Sequence, residues 1–222
     1  MFIGHFAVGM AAKKVAPEVS LGTLFIGAQL VDLLWPFFLM AGWETVRMAP
    51  GITVVTPFDF ESYPFTHSLL TTLGWGVLAF FAGKYALKTG TRAAIVLGLA
   101  VVSHWVLDLI VHRPDLPLYP GESPLLGLGL WNSLPGTLVV EGLIFVAGVA
   151  LYLRATAARD KIGIYGFWGL AGLLILIYLG NVFSPPPANL DQNAIAWMGH
   201  LQWIFILLAY WVDRHRTAAA SG

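Results

Sequence analysis

Six long apolar stretches constrain this chain more than any other feature of its sequence. They cover roughly residues 21–43, 67–87, 93–112, 137–154, 162–183 and 194–212. The length of each stretch is close to the roughly 20 apolar residues that an α-helix needs to cross a hydrocarbon layer of about 30 Å. A backbone in lipid must satisfy its own hydrogen bonds, so such stretches fold as helices. The sequence therefore predicts an all-α polytopic membrane protein with about six transmembrane helices.

The composition agrees with this class. Only 11% of the residues are charged, against roughly 25% in soluble domains. The formal net charge is zero, which argues against a nucleic-acid partner and leaves membrane lipids as the expected surroundings. The absence of cysteine excludes disulfides and thiolate metal sites. Because the sequence has no internal repeat and no soluble segment, we predict that residues 1–222 form a single membrane domain. The sequence does not indicate its oligomeric state.

The N-terminal segment is apolar but short. Residues 2–12 end at Lys13 and Lys14 and are too few to cross a bilayer. We expect a half-helix or re-entrant segment, which is tolerated at membrane depth where protein buries it. No basic region precedes it, so a cleaved signal peptide is not expected.

The basic residues are distributed unevenly between the two sides of the predicted bundle. With the N-terminal segment inside, the outer side receives Arg47 and Arg113, and the long connections 44–66 and 113–136. The inner side receives the other ten of the twelve, which are Lys13, Lys14, Lys84, Lys88, Arg92, Arg154, Arg159, Lys161, Arg214 and Arg216. The positive-inside rule then predicts a bacterial-type plasma-membrane protein with both termini cytoplasmic.

Several ionisable residues lie within the apolar stretches. Each costs at least about 2.5–3.5 kcal/mol on insertion scales, so a functional role is the first hypothesis. His104, Asp108 and His112 recur every four residues in the third span, and therefore share one face of a helix. The others are His5, Asp32, His67, Glu141 and His200.

The rise of about 1.5 Å per helical residue gives each of these groups a depth. His5, Asp32 and His104 fall near the bilayer centre, and Asp108 lies about 6 Å closer to the outer side. Glu141 is expected about a turn below the outer end of its helix, with His67 and His112 at the outer rim. The set therefore predicts a funnel that runs from the outer surface to the midplane.

Charge predicts what this funnel binds. The carboxylates of Asp32, Asp108 and Glu141, beside neutral imidazoles, leave excess negative charge that protons, an internal cation or a metal must balance. A divalent metal fits best, with zinc the first choice and manganese or iron as alternatives. Glu141 and Asp108 are then the candidate catalytic residues, with Glu141 as base. Arg113, with His112, is the candidate contact for an anionic substrate headgroup.

Four short motifs follow a familiar order. They are Gly4-His5-Phe6-Ala7-Val8-Gly9, Val31-Asp32, Phe65-Thr66-His67-Ser68-Leu69-Leu70 and Ser103-His104-Trp105-Val106-Leu107-Asp108. The first half of the chain, about residues 1–115, resembles the membrane-bound metal-dependent hydrolases of the YdjM/YbcI type. More remotely, it is similar to the helical zinc-dependent phospholipases C. The resemblance implies a hydrolase with metal ligands at His5, Asp32, His67, His104 and Asp108.

Two departures from the family pattern bear on the number of metals. The family tends to have Pro-Asp-x-Asp where this chain has residues 31–34, Val-Asp-Leu-Leu, so one carboxylate is missing. It also tends to have His-Arg-Gly where this chain has Ser62, Tyr63 and Pro64. Two ligand positions are thus lost, and we expect one metal at most.

Other functions use the same residues differently. In a transporter or permease, these carboxylates and imidazoles would relay protons or coordinate a cation in transit. In a membrane scaffold they would merely pair with one another. Locally, His67 follows Thr66 where it can take part in helix capping, and His112 lies where a cation favours a helix C-terminus. The lack of an inverted repeat and a funnel open on one side favour a hydrolase that acts on a lipid-linked or membrane-proximal ester or phosphoester.

Overall fold

The computed structural model describes residues 1–185 and 190–219, and six of its helices are long and apolar enough to cross a membrane. The prediction of an all-α polytopic membrane protein is therefore confirmed. The spans are Leu21–Met40 (α2), Leu69–Phe81 (α4) with its continuation Ala82–Ala86, Thr91–Val111 (α5), Leu134–Ala155 (α6), Lys161–Phe183 (α7), and Gln192–His200 (α8) joined to Gln202–Arg214 (α9).

Two short helices complete the bundle. The predicted N-terminal half-helix is α1, Ile3–Ala12, which packs against α2, α5 and α6. Its Phe6 and Met10 side chains are fully buried, so protein surrounds this helix, as short segments at membrane depth require. The second short helix is α3, Pro64–His67, directly before α4.

Serine and aspartate side chains start five of these helices. In each case a side-chain oxygen accepts a hydrogen bond from the backbone N–H three residues further on, which satisfies one of the free donors of the first turn. These N-caps are Ser20, Ser68, Ser133, Asp160 and Asp191. Ser68 has extended backbone angles, φ −76° and ψ 148°, and so separates α3 from α4. The second span thus begins at Leu69, and His67 lies in the short helix before it.

Three small antiparallel sheets close the ends of the bundle. At one end β1, Thr45–Met48, pairs with β2, Phe58–Ser62, and β3, Leu116–Pro117, pairs with β4, Leu125–Leu126. Both pairs fall within the connections that the sequence predicts to be long. At the other end β5, Thr156–Ala158, pairs with β6, Arg216–Ala218, and so joins the end of α6 to the chain after α9.

A polar cluster lies beside this second end. The Lys13 ammonium donates to Asp213 Oδ2 at 2.7 Å and to the Val19 carbonyl at 2.8 Å. The Tyr152 hydroxyl donates to Asp213 Oδ1 at 3.0 Å, and the Leu21 N–H donates to Asp213 Oδ2 at 3.1 Å. Asp213 thus connects α9 to α6, to the start of α2 and to the residue after α1.

The contact between α1 and α6 depends on a glycine. A β-carbon at Gly148 would come within 2.7 Å of the Ala7 Cα atom, a distance at which backbone atoms must move. We expect Gly148→Val to push α1 away from α6 and to lower the free energy of unfolding by about 1–3 kcal/mol. Denaturant titration in mixed detergent micelles measures this loss.

Gly142 in the same helix offers the matched control. Among the described residues, nothing lies within 4 Å of a β-carbon built there. Gly142→Val should therefore change stability much less than Gly148→Val. Equal stability of the two variants would contradict the close approach of α1 to α6.

Candidate metal centre

Four side chains from α2, α3 and α5 converge on one point between these helices. Their donor atoms alternate between carboxylate and imidazole, and we call this set, Asp32, His67, His104 and Asp108, the donor ring. His67 Nε2 lies 3.2 Å from Asp32 Oδ1 and 3.9 Å from Asp108 Oδ2. His104 Nε2 lies 3.5 Å from Asp32 Oδ1 and 3.1 Å from Asp108 Oδ2. Each imidazole nitrogen therefore faces two carboxylate oxygens.

His5 from α1 joins the donor ring from one side. Its Nε2 lies 3.0 Å from Asp108 Oδ1, and its ring stacks on His104 with centroids 3.6 Å apart and an interplanar angle of 5°. The Met1 nitrogen also contacts Asp108 Oδ1. Asp108 thus uses both of its oxygens, and the five residues that the resemblance implies as ligands lie together in the structure.

The site is buried except at one residue. The side chains of His5, His104 and Asp108 are at most 3% exposed, whereas that of Asp32 is 25% exposed. Asp32 is therefore the member of the donor ring that the protein covers least.

A carbonyl fixes the orientation of His104. Its Nδ1 lies 2.8 Å from the Ala28 oxygen, and because a carbonyl only accepts, Nδ1 must carry the proton. In a neutral imidazole, Nε2 then carries a lone pair and no proton. This buried atom faces Asp32 and Asp108 and has no hydrogen-bond partner within residues 1–185 and 190–219. A lone pair and two carboxylate oxygens therefore face one another.

His67 is oriented through a hydroxyl group. Its Nδ1 lies 2.7 Å from Thr66 Oγ1, and the Thr66 hydroxyl donates to Glu44 Oε2 at 2.7 Å. Glu44 Oε1 accepts the backbone N–H groups of Phe65 and Thr66, both at 2.8 Å. Burial raises the pKa of the Glu44 carboxyl, and these hydrogen bonds act in the opposite direction. Glu44 thus supports His67 without touching it.

The arrangement suits a metal ion. Two groups, His5–His104–Asp108 and Asp32–His67–His104, each offer donor atoms within 4.8 Å of one another, so these buried residues can hold a metal. Tetrahedral zinc with ligands at about 2.0–2.2 Å holds neighbouring donors roughly 3.3–3.5 Å apart. The four contacts of the donor ring run from 3.1 to 3.9 Å. The Met1 ammonium pairs with Asp108, and a bound cation would balance the carboxylate charge that this ammonium leaves in the interior.

Glu141 lies at the start of α1 rather than in the donor ring. The sequence predicts Glu141 as the base of a hydrolase. In the structure it is 1% exposed, and Oε2 accepts the Phe2 N–H at 3.0 Å. No side chain from α1 itself caps this end within the described residues, so Glu141 satisfies a free donor of the first turn. The contact fixes the helix that carries His5, and the role as base stays a prediction.

The predicted substrate contacts are held by acidic partners. His112 Nδ1 lies 2.9 Å from Asp115 Oδ1, which also accepts the Tyr63 hydroxyl at 3.0 Å. Arg113 pairs with Asp59 and lies 3.2 Å from Asp115 Oδ2 through Nε. His112 is 3% exposed. These contacts tie the chain after α5 to β2 and to Tyr63, so a substrate could reach His112 only if they open.

The depth predicted for His67 can be compared with the structure. The sequence places His67 at the outer rim, above Asp32, and this is wrong, because the two side chains are in contact at 3.2 Å. The reason is the extended residue Ser68, which lets α3 turn away from the axis of α4. His200 is outside the donor ring and packs edge-on against Phe37, with ring centroids 4.5 Å apart.

Sequence reasoning missed Glu44, which follows α2 in the loop before β1. Residues in such a loop carry no helical period, so its carboxylate gave no pattern to interpret. A buried acid beside Thr-His becomes visible only when the two segments are seen together.

Comparison of the chain with models of protein families, with curated proteins and with solved structures finds no match.

Proposed function

We propose that this protein is an integral membrane metal-dependent hydrolase. Asp32, His67, His104 and Asp108 hold the metal, and His5 contributes from the side of Asp108. Imidazole nitrogen and carboxylate oxygen together suit zinc, with manganese and iron as the alternatives. The proposal agrees with the resemblance to hydrolases of the YdjM/YbcI type, which rests on the sequence motifs alone.

One observation carries this proposal. The Nδ1 atoms of His104 and His67 are turned toward a carbonyl and a hydroxyl, which leaves both Nε2 atoms facing carboxylate oxygens. If the imidazoles are neutral, each Nε2 lone pair faces carboxylate oxygens, and both kinds of atom can only accept hydrogen bonds. Such an arrangement is unfavourable in the interior without a cation. A metal ion bound by the Asp32–His67–His104 group or by the His5–His104–Asp108 group would satisfy the atoms that face it.

The chemistry follows from the donor ring and its opening. A bound divalent ion supplies Lewis-acid activation of water and of a carbonyl or phosphoryl oxygen. Ala28 and Thr66 hold the two imidazoles in place, and the buried position of His104 and Asp108 keeps bulk water away. Asp32, the exposed member, lies where a substrate oxygen or a water molecule would arrive, and its carboxylate can accept a proton there.

Depth suggests the class of substrate. Asp32 is eight residues before the end of α2 and His104 seven before the end of α5, which places both about 10–12 Å below the helix ends that meet β1 to β4. A bond that reaches this depth belongs to a lipid-linked or membrane-proximal ester or phosphoester. The distribution of Lys and Arg favours an orientation with these strands outside a bacterial-type plasma membrane and both termini in the cytoplasm.

Metal analysis of the purified protein tests the proposal. We expect about one divalent ion, zinc first, per chain after purification without chelator, and loss of lipid ester or phosphoester hydrolysis after chelation. Inductively coupled plasma mass spectrometry measures the content. Absence of stoichiometric metal would mean that protonated imidazoles pair with the carboxylates, and would overturn the proposal. Bound metal with cation flux in liposomes and no hydrolysis would instead support a transporter.

A further inference from the structure

A relay of three side chains leads from a loop to the donor ring. Glu44, after α2, and Thr66, in α3, are both fully buried. The Thr66 hydroxyl lies 2.7 Å from Glu44 Oε2 on one side and 2.7 Å from His67 Nδ1 on the other. His67 then faces Asp32 and Asp108 with its other nitrogen. The relay therefore connects a buried carboxylate to a proposed metal ligand.

The direction of each hydrogen bond in the relay is fixed. A hydroxyl has one proton to donate, and a carboxylate only accepts, so the Thr66 proton points to Glu44. Thr66 Oγ1 must then accept the proton of His67 Nδ1. Of the two neutral tautomers of His67, only the one with its lone pair on Nε2 is consistent with this chain of bonds, and Nε2 is the atom that faces Asp32 and Asp108.

We propose that Glu44 and Thr66 are positioning residues that hold His67 in its metal-binding tautomer and orientation. The proposal rests on the proposed metal-dependent function. Hydrogen bonds to the outer nitrogen of a ligand histidine fix its ring and raise its basicity, and their loss weakens metal binding typically 10–100-fold. Neither Glu44 nor Thr66 belongs to the donor ring, so both would act on the metal only through His67.

Glu44 and Thr66 contribute in separable ways. Glu44 also accepts the backbone N–H groups of Phe65 and Thr66, and α3 has no side-chain cap of its own at Tyr63 in the part of the chain described. Removal of Glu44 therefore disturbs both the backbone of α3 and the ring of His67. Removal of the Thr66 hydroxyl takes away the bonds to His67 Nδ1 and Glu44 Oε2 but leaves the backbone bonds of α3 to Glu44 in place, which makes Thr66 the sharper position for a test.

The test compares Thr66→Val with Thr66→Ser in the full-length protein in detergent. Valine keeps the shape and removes the hydroxyl, whereas serine restores it. We expect zinc affinity, measured by competition with a chromophoric chelator, to fall 10–100-fold in Thr66→Val and to stay within about threefold of wild type in Thr66→Ser. In the metal-free protein, ¹⁵N NMR of His67 should show a proton on Nδ1 in wild type and a mixture of tautomers in Thr66→Val.

Thr137→Val is the matched control, because Thr137 is also fully buried and its hydroxyl donates to the Leu130 carbonyl, outside the relay. It should keep the wild-type zinc affinity and the wild-type His67 tautomer. Wild-type affinity and tautomer in Thr66→Val, with metal bound to the wild-type protein, would overturn the positioning role alone. Absence of metal from the wild-type protein would overturn the hydrolase proposal as well.

Discussion

Asp108→Asn is expected to remove the metal from the protein and to abolish hydrolysis. Asp108 faces His5 through Oδ1 and His104 and His67 through Oδ2, so it touches every imidazole of the site. Asparagine has nearly the same shape but offers one neutral oxygen and no charge. The loss of metal affinity should exceed the roughly 100-fold that follows from removing a supporting residue. Metal content after gel filtration and chelator competition measure it.

Asp115→Asn is the control for this variant. Asp115 is also buried and bonded to a histidine, yet it contacts His112 and Tyr63 rather than the donor ring. It should keep a full complement of metal. If Asp108→Asn retained stoichiometric metal at wild-type affinity, the donor ring would not be the binding site.

Asp213→Asn is expected to produce the largest loss of stability. The variant leaves Lys13, whose side chain is 7% exposed, without its carboxylate partner, and it weakens the bonds from Tyr152 and Leu21. Removing one member of a buried ion pair typically costs about 3–5 kcal/mol, because the other charge stays buried. Denaturant titration in mixed micelles measures the free energy of unfolding, and metal content should be unchanged in the folded protein.

Glu18→Gln serves as the comparison, because Glu18 is an exposed carboxylate in the connection between α1 and α2. It should change stability by less than about 0.5 kcal/mol. A loss below about 1 kcal/mol in Asp213→Asn would show that the cluster around Asp213 does not hold the helix ends together. Loss of metal from the folded variant would show that the two ends of the bundle are coupled.

The polar contacts at the two ends of the bundle are of different kinds. Around Asp213, every strong polar contact joins elements of the scaffold. Around the donor ring, imidazole nitrogens face carboxylate oxygens, the Met1 ammonium pairs with Asp108, and the bonds to Ala28 and Thr66 hold His104 and His67 in place.

Local patterns predicted part of the site. His104 and Asp108 are one turn apart, so helix geometry alone places them on one face. Asp32 stands out as a lone carboxylate in an apolar span for the same kind of reason. The depth of His67 was misjudged because the sequence shows an unbroken second span, whereas the extended backbone at Ser68 divides it.

Local patterns do not predict which residues of other helices or strands a polar side chain contacts. Glu141 looked unpaired, yet it bonds to the backbone of Phe2, 139 residues away. Arg113 looked free for a headgroup, yet Asp59 of β2 pairs with it. Glu44 follows no periodic pattern in the sequence, and its contact with His67 runs through Thr66 in another segment. Each of these contacts joins residues that no helical or strand period relates.

The sequence by itself determined the class of this protein and the extent of its helices, because hydrocarbon requires a backbone that satisfies its own hydrogen bonds over a fixed length. It also identified the ionisable residues that are costly in such a place. Only the tertiary structure decided which of them meet. Neighbouring donor atoms from α1, α2, α3 and α5 lie 3.0–3.9 Å apart because the helices pack together and Ser68 separates α3 from α4. This packing depends on contacts between residues distant in the sequence.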